Sequence, residues 1–281
     1  MLSYRHAFHA ANHADVLKHF VLTLTLDYFN QKDKPYWYID THAGAGQYDL
    51  NSEYAQKTTE YLTGFHLLQQ HYQELPSTLK HFVDLIEQTQ QNNASYYPGS
   101  PKIADHLVRK TDSLRLFELH PTDSVFLIDA FRSAGRRVQI KVEDGFEGVI
   151  RILPPAPRRS VILIDPPYEE KTDYIKVVQT LKKAIERFAT GCYLLWYPCL
   201  SRVESKKLPE QLKKIVPNHY LNTQLIVQEE SQDGFGMFGS GMFVINPPFL
   251  LKQQLQESLP VLVKLLKQDN KARFVLDAQI R

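Results

Sequence analysis

The sequence predicts an α/β fold with a doubly wound, mostly parallel sheet of seven strands whose last strand is reversed. Three observations support this class. Short apolar segments alternate with helical ones, an aromatic strand runs into a glycine turn at residues 40–46, and four strands in succession end on or near a carboxylate. Open α/β sheets bind ligands outside the carboxyl ends of their strands, so these acids predict a ligand cleft at that edge.

The elements can be assigned in order from hydrophobic periodicity and turn residues. The predicted strands are 36–39, 113–117, 138–142, 160–164, 193–197, 221–227 and 241–245. The predicted helices are 9–28, 121–133, 146–153, 174–188 and 204–215. The last two strands are joined by a glycine-rich connection with no helix, which predicts an antiparallel final pair.

The interval between the first two strands is too long for a simple nucleotide-binding unit. Residues 52–93 carry two helix-like segments, 59–72 and 77–90, on either side of Leu75-Pro76. We interpret them as a helical insertion beside the ligand edge. The predicted organisation is therefore one α/β domain, residues 1–51 and 94–281 with an N-terminal helical tail, and an insertion subdomain, residues 52–93.

Composition indicates a globular enzyme. Apolar residues make up 43% and charged residues 23% of the 281 residues. No apolar run is long enough for a membrane span, and the N-terminus lacks a secretory pattern, so a cytoplasmic protein is expected. Cys192 and Cys199 fit neither a disulfide framework nor a zinc site and are expected to be reduced core thiols. A net charge of +2 does not by itself indicate nucleic-acid binding, and basic pairs such as Lys206-Lys207 are typical of solvated surface.

The glycine turn after the first strand, Asp40-x-x-x-Gly44-x-Gly46, allows backbone to approach a nucleoside closely. The third glycine of a dinucleotide fingerprint is replaced by Asp49, which favours a ligand without a pyrophosphate. Glu118 can accept both hydroxyl hydrogens of a ribose, and Asp144 with Gly145 can bind an adenine amine.

Asp165-Pro166-Pro167-Tyr168 carries the chemistry. An adenine amine is a poor nucleophile because its lone pair is delocalised into the ring. The Asp165 carboxylate and the Pro166 carbonyl can accept its two hydrogens, and Tyr168 can stack on a base extracted from its helix. Preorganised acceptors and in-line geometry would supply most of the rate, without a metal. The loop therefore predicts methyl transfer to the exocyclic amine of an adenine in nucleic acid.

A competing tetrapeptide, Asn246-Pro247-Pro248-Phe249, follows another apolar strand. Position favours Asp165, because the fourth strand of a doubly wound sheet lies beside the first, whereas we expect too little chain after Asn246 to complete the sheet. Asn246 is then interpreted as a strand-exit turn.

The N-terminal region is rich in aromatic, basic and histidine residues. His9 and His13 stand four apart on a helix, but a third ligand and a glutamate base are lacking, so no metal is predicted. The tail can instead hold RNA by stacking and phosphate contact, or simply cap the fold with exposed histidines.

Several motifs together resemble the bacterial large-subunit ribosomal RNA adenine-N6 methyltransferases of the J type, a family also associated with use of external DNA as a nutrient. They are 1–6 (Met-Leu-Ser-Tyr-Arg-His), 13–19 (His-Ala-Asp-Val-Leu-Lys-His), 40–46 (Asp-Thr-His-Ala-Gly-Ala-Gly), 96–101 (Tyr-Tyr-Pro-Gly-Ser-Pro), 118–121 (Glu-Leu-His-Pro), 144–146 (Asp-Gly-Phe) and 165–168 (Asp-Pro-Pro-Tyr). The resemblance covers nearly the whole chain and is weakest after Phe249.

The resemblance implies a class I (Rossmann-like) methyltransferase that uses S-adenosylmethionine, releases S-adenosylhomocysteine and needs no metal. It implies that Asp165 is catalytic and that Tyr4, with Arg5 and His6 of the same tail, meets the RNA. It further implies a monomer that acts on large-subunit ribosomal RNA before the ribosome is fully assembled. Together with the motifs, it implies the following donor contacts: Lys18, His19, His42, Gly44, Gly46, Ser100, Glu118, Asp144, Gly145 and Asp165.

Three other functions share part of this pattern. A DNA adenine-N6 methyltransferase would have the same tetrapeptide but would normally carry a larger region for reading the major groove. A nucleic-acid-binding protein without catalysis, for instance one involved in external DNA catabolism, would not need the intact acid, prolines and aromatic. A nicotinamide-dependent oxidoreductase is disfavoured by the missing third glycine.

Overall fold

An eight-stranded sheet forms the centre of the molecule. The computed structural model describes residues 6–90 and 93–280. Its strands are β1 (Trp37–Asp40), β2 (Gln47–Asp49), β3 (Tyr96–Pro98), β4 (Ser113–Phe117), β5 (Val138–Lys141), β6 (Ser160–Ile164), β7 (Cys192–Leu200), β8 (Tyr220–Ile226), β9 (Met237–Ile245) and β10 (Arg273–Gln279). The main sheet has the order β10-β8-β9-β7-β6-β1-β4-β5, and β2 and β3 pair separately.

Helices cover both faces of this sheet. They are α1 (His13–Asn30), α2 (Glu53–Thr58), α3 (Phe65–Gln70), α4 (Ser77–Thr89), α5 (Ser100–Leu107), α6 (Pro121–Ala130), α7 (Gly145–Ile152), α8 (Lys171–Arg187), α9 (Val203–Ile215) and α10 (Leu251–Leu266). Alternate residues of β6 divide between two cores. Val161 and Leu163 join the core formed with α1, α4 and α10, while Ile162 and Ile164 join the core formed with α7, α8 and α9. A strand buried on both faces is typical of a parallel sheet between helical layers.

The predicted fold class is confirmed, with one correction to the strand count. The main sheet has eight strands rather than seven, and both β9 and β10 run against the parallel set. The expectation that too little chain follows Asn246 to extend the sheet was wrong. The chain continues through α10 and returns as β10, which pairs antiparallel with β8 from Arg273 opposite Ile226 to Gln279 opposite Tyr220. Its weak apolar signal reflects its place at the sheet edge, where only part of each side chain is covered.

The predicted insertion contains α2, α3 and α4, and the helical segment expected at 59–72 is broken by two 3-10 turns, Glu60–Thr63 and Tyr72–Glu74. Its aromatic side chains pack against α1. The Phe82 ring lies 5.7 Å from that of Phe20 and 5.9 Å from that of Phe65. The insertion thus shares a core with the sheet, and the division into two domains stays a prediction.

Helix α1 is buried on all sides over its first four turns. It begins at His13, later than predicted, because the Asn12 side chain accepts the N–H groups of Ala14 and Asp15 at 2.9 and 3.0 Å. Its charged residues Asp15 and Lys18 are therefore buried as well, at 1% and 4% exposure. Buried charges are rarely tolerated unless they are paired, so both residues are expected to have partners of opposite charge.

Both cysteines are free and buried, as expected, and burial raises the pKa of each thiol to about 12. Within the described ranges we find no helix with the length and apolar character required to cross a bilayer.

Candidate active site

A cavity of about 440 Å³ opens at the carboxyl edge of the parallel strands, beside the N-terminal half of α1. We call it the main cavity. Three of the four predicted strand-end acids line it: Glu118 after β4, Asp144 after β5 and Asp165 after β6. The fourth, Asp40, ends β1 and is completely buried behind the wall. The volume lies within the range of small-molecule sites in proteins.

Most of the predicted site residues meet in this cavity. Those that line it are His6, Lys18, His19, His42, Gly44, Ser100, Glu118, Asp144, Gly145, Asp165, Pro166 and Tyr168. Gly46 does not line it; its carbonyl accepts the Gly99 N–H at 2.9 Å and so ties the glycine turn to the start of α5. Tyr4 and Arg5 lie outside the described residues.

Two glycines allow backbone to form the floor of the cavity. A Cβ atom on Gly44 (φ +60°) would lie 2.2 Å from the Tyr48 hydroxyl, and one on Gly145 would lie 1.8 Å from the Thr41 carbonyl oxygen. Gly145 has no room for a side chain because its neighbour is backbone, whereas at Gly44 the positive φ disfavours any other residue. The loops after β1 and β5 therefore close on each other at Gly145.

Glu118 is held rigidly on one wall. Its two carboxylate oxygens accept the backbone N–H groups of Gly44 and His120, each at 2.7 Å. Burial raises the pKa of this carboxyl to about 7, although the two backbone bonds oppose the shift. Each oxygen keeps a free lone-pair direction, which is what a ribose diol requires.

Ser100 is oriented from behind by Asp40. The Asp40 carboxylate accepts the Tyr38 and Ser100 hydroxyls, both at 2.7 Å, and burial raises the pKa of Asp40 to about 6. Because the Ser100 proton is used in this bond, its oxygen offers lone pairs to the cavity. It is thus suited to accept from an ammonium or hydroxyl group of a ligand.

Lys18 links two carboxylates from distant parts of the chain. Its Nζ lies 2.9 Å from Asp15 and 2.7 Å from Asp165 Oδ2. Burial by itself would lower the pKa of this ammonium, but the two carboxylates raise it above its ordinary value. Asp15 also accepts from His6 at 2.9 Å, and the pKa of its carboxyl is held well below the usual range because its interactions with His6 and Lys18 outweigh its burial.

The loop that follows β6 is fixed by Tyr168. This residue has φ +53°, is 2% exposed, and donates its hydroxyl to the Trp196 carbonyl at 2.9 Å. Its ring centroid lies 4.7 Å from that of Tyr174. A non-glycine residue with positive φ persists only where its surroundings hold it. The side chain of Asp165 is 14% exposed, and its Oδ1 has no protein partner within the described ranges.

The sequence is similar to those of known proteins. The family model described as ribosomal RNA large subunit methyltransferase D, RlmJ, matches residues 33–276. The chain belongs to this family. It is 47% identical over 261 residues to ribosomal RNA large subunit methyltransferase J of Escherichia coli K12, with 92% of each chain covered. It is 44% identical over 268 residues to the protein of the same name from Haemophilus influenzae, covering 95% of this chain and 94% of that one.

A crystal structure from Legionella pneumophila superposes on this RlmJ-family chain with a TM-score of 0.89 at 32% identity, covering 97% of this chain and all of that one. The resemblance deduced from the motifs is confirmed by these matches.

The competing tetrapeptide of this RlmJ-family chain lies at the opposite edge of the sheet. Asn246 follows β9, which runs against β7, and it has φ +54°. Its amide donates to the Ala189 and Gly191 carbonyls at 2.8 and 2.7 Å. It closes a strand exit, far from the carboxylates of the main cavity.

The histidines of the N-terminal region contact other side chains of the protein or are buried within it. His9 Nδ1 lies 2.9 Å from Glu60, and burial lowers the pKa of His13 to about 4. Burial likewise lowers the pKa of His19 to about 3 and that of His42 to about 4, so these two of the histidines that line the main cavity are neutral near pH 7. The described ranges hold no cluster of ligands with metal-site geometry.

Sequence reasoning missed several residues of the RlmJ-family site. Asp15 and Trp196 were not selected from the residues, Asp40 was predicted only as a strand-end acid without its contact to Ser100, and Ser100, Lys18 and His19 came from resemblance. A signal for Asp15 and Lys18 was present, because both lie within the first turns of an otherwise apolar helix. Asp40 and Ser100 are 60 residues apart and had no such signal.

Proposed function

We propose that this chain transfers a methyl group from S-adenosylmethionine to the exocyclic N6 of an adenine in large-subunit ribosomal RNA. The observation that carries the proposal is the Asp165 loop. It presents a carboxylate oxygen with no protein partner, among the described residues, to a cavity whose opposite wall is suited to a nucleoside. Membership of the RlmJ family supports the same reaction and the same class of RNA.

The main cavity fits the methyl donor. Glu118 would accept the ribose hydroxyls, and Asp144 would bind near the adenine amine, since only its Oδ1 is used to cap α7. Ser100 would accept from the ammonium of the methionine part. Lys18, His19, His42 and the backbone at Gly44 and Gly145 would complete the surface, with Gly46 supporting the turn from behind.

S-adenosylmethionine, when bound, supplies an electrophilic methyl carbon on a sulfonium. The chain's part is to orient the adenine amine. Asp165 Oδ1 and the Pro166 carbonyl would accept its two hydrogens and direct the nitrogen lone pair towards the methyl carbon. Methyl transfer would leave the electron pair of the broken C–S bond on sulfur, and Asp165 would accept one proton from the amine.

Lys18 has a supporting part in this step. Its cation occupies Asp165 Oδ2 and holds the carboxylate in place, so that Oδ1 would face the amine. Asp15 holds Lys18 in turn. Because the ion pair is buried, its orientation is defined by hydrogen bonds rather than by solvent.

The RNA side of the site is assigned to the N-terminal tail and to Tyr168. His6 lines the main cavity, and the predicted RNA contacts Tyr4 and Arg5 directly precede it in the sequence. Tyr168 is 2% exposed and packs against Tyr174 and Trp196, so it would support the extracted base by fixing the loop on which the base rests. We further propose a cytoplasmic monomer that acts on RNA before ribosome assembly is complete.

Radiolabelled methyl transfer tests the proposal. Unmodified large-subunit ribosomal RNA and duplex DNA are each incubated with labelled donor, and the nucleosides are analysed by mass spectrometry. N6-methyladenosine from RNA alone is expected. Label in DNA alone would favour a DNA adenine methyltransferase over the proposed RNA methyltransferase. Binding of NAD instead of S-adenosylhomocysteine would indicate an oxidoreductase.

Asp165→Ala is expected to lower kcat by at least about 10³-fold, because the acceptor of the amine hydrogen is lost. Asp165→Asn keeps the shape and is the matched control for packing. Both variants should still bind S-adenosylhomocysteine, as measured by calorimetry. Turnover retained in Asp165→Ala would refute the catalytic role of this loop.

A further inference from the structure

A second cleft adjoins the main cavity on the side away from β1. It has a volume of about 490 Å³, and we call it the side cleft. Leu200, at the end of β7, lines both the main cavity and the side cleft. The start of β9 is shared in the same way, with Met237 in the main cavity and Phe238 in the side cleft. A chain-like substrate leaving the main cavity past Leu200 would enter the side cleft directly.

Sheet topology places basic residues on the far wall of the side cleft. Strand pairing sets Arg273 opposite Ile226, Ile226 opposite Gly239, and Gly239 opposite Cys199. Arg273 is thus at the same edge of the sheet as the main cavity, about 14 Å from β7 at the usual strand spacing. Lys271 precedes it and is also exposed. The described part of the chain offers neither side chain a carboxylate within ion-pair distance.

The other charges of the side cleft largely cancel. Lys206 is paired with Glu230 at 2.7 Å. The Asp269 carboxylate accepts the backbone N–H groups of Glu229 and Lys271. The lining carries Lys206, Lys271 and Arg273 against Glu229 and Glu230, and the Asp269 carboxylate beside Lys271 keeps its charge, so the cleft as a whole is close to neutral. Lys271 and Arg273 nevertheless lie on one wall with no ion-pair partner among the described residues, and that wall is the part of the cleft suited to phosphates.

An exposed aromatic residue stands beside this path. Phe235 is 80% exposed, in the connection between β8 and β9. The connection is ordered by Asp233, which accepts from the Ser231 hydroxyl at 2.5 Å and from the Phe235 N–H at 3.0 Å. It lies over the end of β7, since a Cβ on Gly234 would be 3.8 Å from that of Ser201. Exposed aromatics beside basic side chains are the means by which proteins stack the bases of single strands.

We propose that the side cleft binds the single-stranded RNA that flanks the target adenine, with Lys271 and Arg273 on its phosphates and Phe235 stacked on a neighbouring base. This inference rests on the proposed function and extends it to the path of the substrate. The side cleft takes no part in donor binding or in chemistry, so its loss affects the RNA alone.

The experiment compares Lys271→Glu/Arg273→Glu and Phe235→Ala with controls at the opposite sheet edge. Phe249, 72% exposed just beyond the other end of β9, is the matched aromatic, and the exposed Lys252 of α10 is the matched cation. The affinity for unmodified large-subunit ribosomal RNA is measured by filter binding across a salt series. The KM for RNA, kcat and S-adenosylhomocysteine affinity are measured in parallel.

The double variant is expected to weaken RNA binding by at least about 10-fold and to reduce the slope of log K against log salt by about 1.4, or about 0.7 for each phosphate that the protein no longer neutralises. Phe235→Ala is expected to cost at least about 5-fold. The KM for RNA should rise in proportion while kcat and donor affinity stay unchanged. Phe249→Ala and Lys252→Glu should match the wild type.

RNA affinities within two-fold of the wild type for both variants would overturn the proposal. A change of oligomeric state without a change of RNA affinity would also overturn it, because it would assign the side cleft to a second copy of the chain. Affinity is measured without methyl transfer. If the wild type binds RNA but forms no methylated RNA, the result counts against the proposed function. The RNA affinities of the variants can still be compared with that of the wild type.

Discussion

Lys18 is a buried cation that lies between two carboxylates. It is 4% exposed and bridges Asp15 and Asp165. Removing one partner of a buried ion pair leaves the other charge buried and uncompensated, so loss of Lys18 would destabilise both carboxylates. The bridge therefore contributes to stability as well as to the orientation of Asp165.

Lys18→Met is expected to lower the free energy of unfolding by about 3–5 kcal/mol near neutral pH, because Asp15 then loses its nearest cation. Urea denaturation measures the change. Lys182→Met, at an exposed position on α8, should change it by less than about 0.5 kcal/mol. If the free energy of unfolding falls by a comparable amount in both variants, the Lys18 bridge contributes no more to stability than an exposed lysine does.

Glu118 links donor binding to pH. Its pKa is raised to about 7 from an ordinary 4.5, so the folded protein binds more protons than the unfolded chain between these values, and stability falls as pH rises through that window. The ionised carboxylate accepts ribose hydroxyls better than the neutral acid. Donor affinity should therefore increase with pH through about 7.

The test is Glu118→Gln, followed by calorimetry and by thermal melting. The variant should bind S-adenosylhomocysteine weakly and without this pH dependence. Relative to wild type it should gain stability, on the order of 2 kcal/mol at pH 8, and the gain should vanish below about pH 4.5. A pH-dependent donor affinity that persists in the variant would assign the titration to another group, such as Asp40.

At the scale of elements, the loops after the strands determine the shape of the main cavity. The turn after β1 and the start of α7 touch at Thr41 and Gly145, leaving no space for a Cβ. Asp144 caps α7 through the Phe146 N–H at 2.8 Å, which fixes the helix start. A shift of α7 would thus move Asp144 and open the cavity floor.

Gly145→Ala is expected to destabilise the protein by about 1–3 kcal/mol through overpacking and to weaken donor binding at least about 10-fold. Gly135→Asn is the matched control. Gly135 has φ +70° and open space around its Cβ position, and asparagine tolerates this backbone region. Unchanged donor affinity in Gly145→Ala would mean that the loops can separate without affecting the site.

At the scale of the whole molecule, β10 protects an edge. Without it, β8 would present a buried, largely apolar strand to solvent, since six of its seven residues are buried. Unpaired apolar edges template association between chains. The C-terminal segment therefore supports solubility in addition to lining the side cleft.

Removal of residues 269–281 is expected to produce aggregated or oligomeric protein, as judged by size-exclusion chromatography with light scattering. Replacing the partly covered apolar residues Leu276 and Ala278 with serine should give a milder loss of stability without a free edge. A monomeric truncated chain with wild-type melting temperature would contradict the protective role of β10.

The sequence by itself predicted the alternation of helices with the strands β1 and β4–β9 and the carboxyl edge as the place of the site. It also favoured Asp165 over Asn246 as the reacting residue, and that choice stays a prediction. Each of these follows from local information. Hydrophobic runs, turn residues and an acid at a strand end are properties of short segments, and parallel strands necessarily bring their ends to one edge.

Only the tertiary structure decided which distant groups meet. Lys18 and Asp165 are 147 residues apart, and β10 finds the edge of β8 with little apolar pattern of its own. Such pairings depend on how helices pack across the sheet and on which strand edge is left open. Local periodicity carries no information about either, because it records the faces of an element and not the partner that covers them.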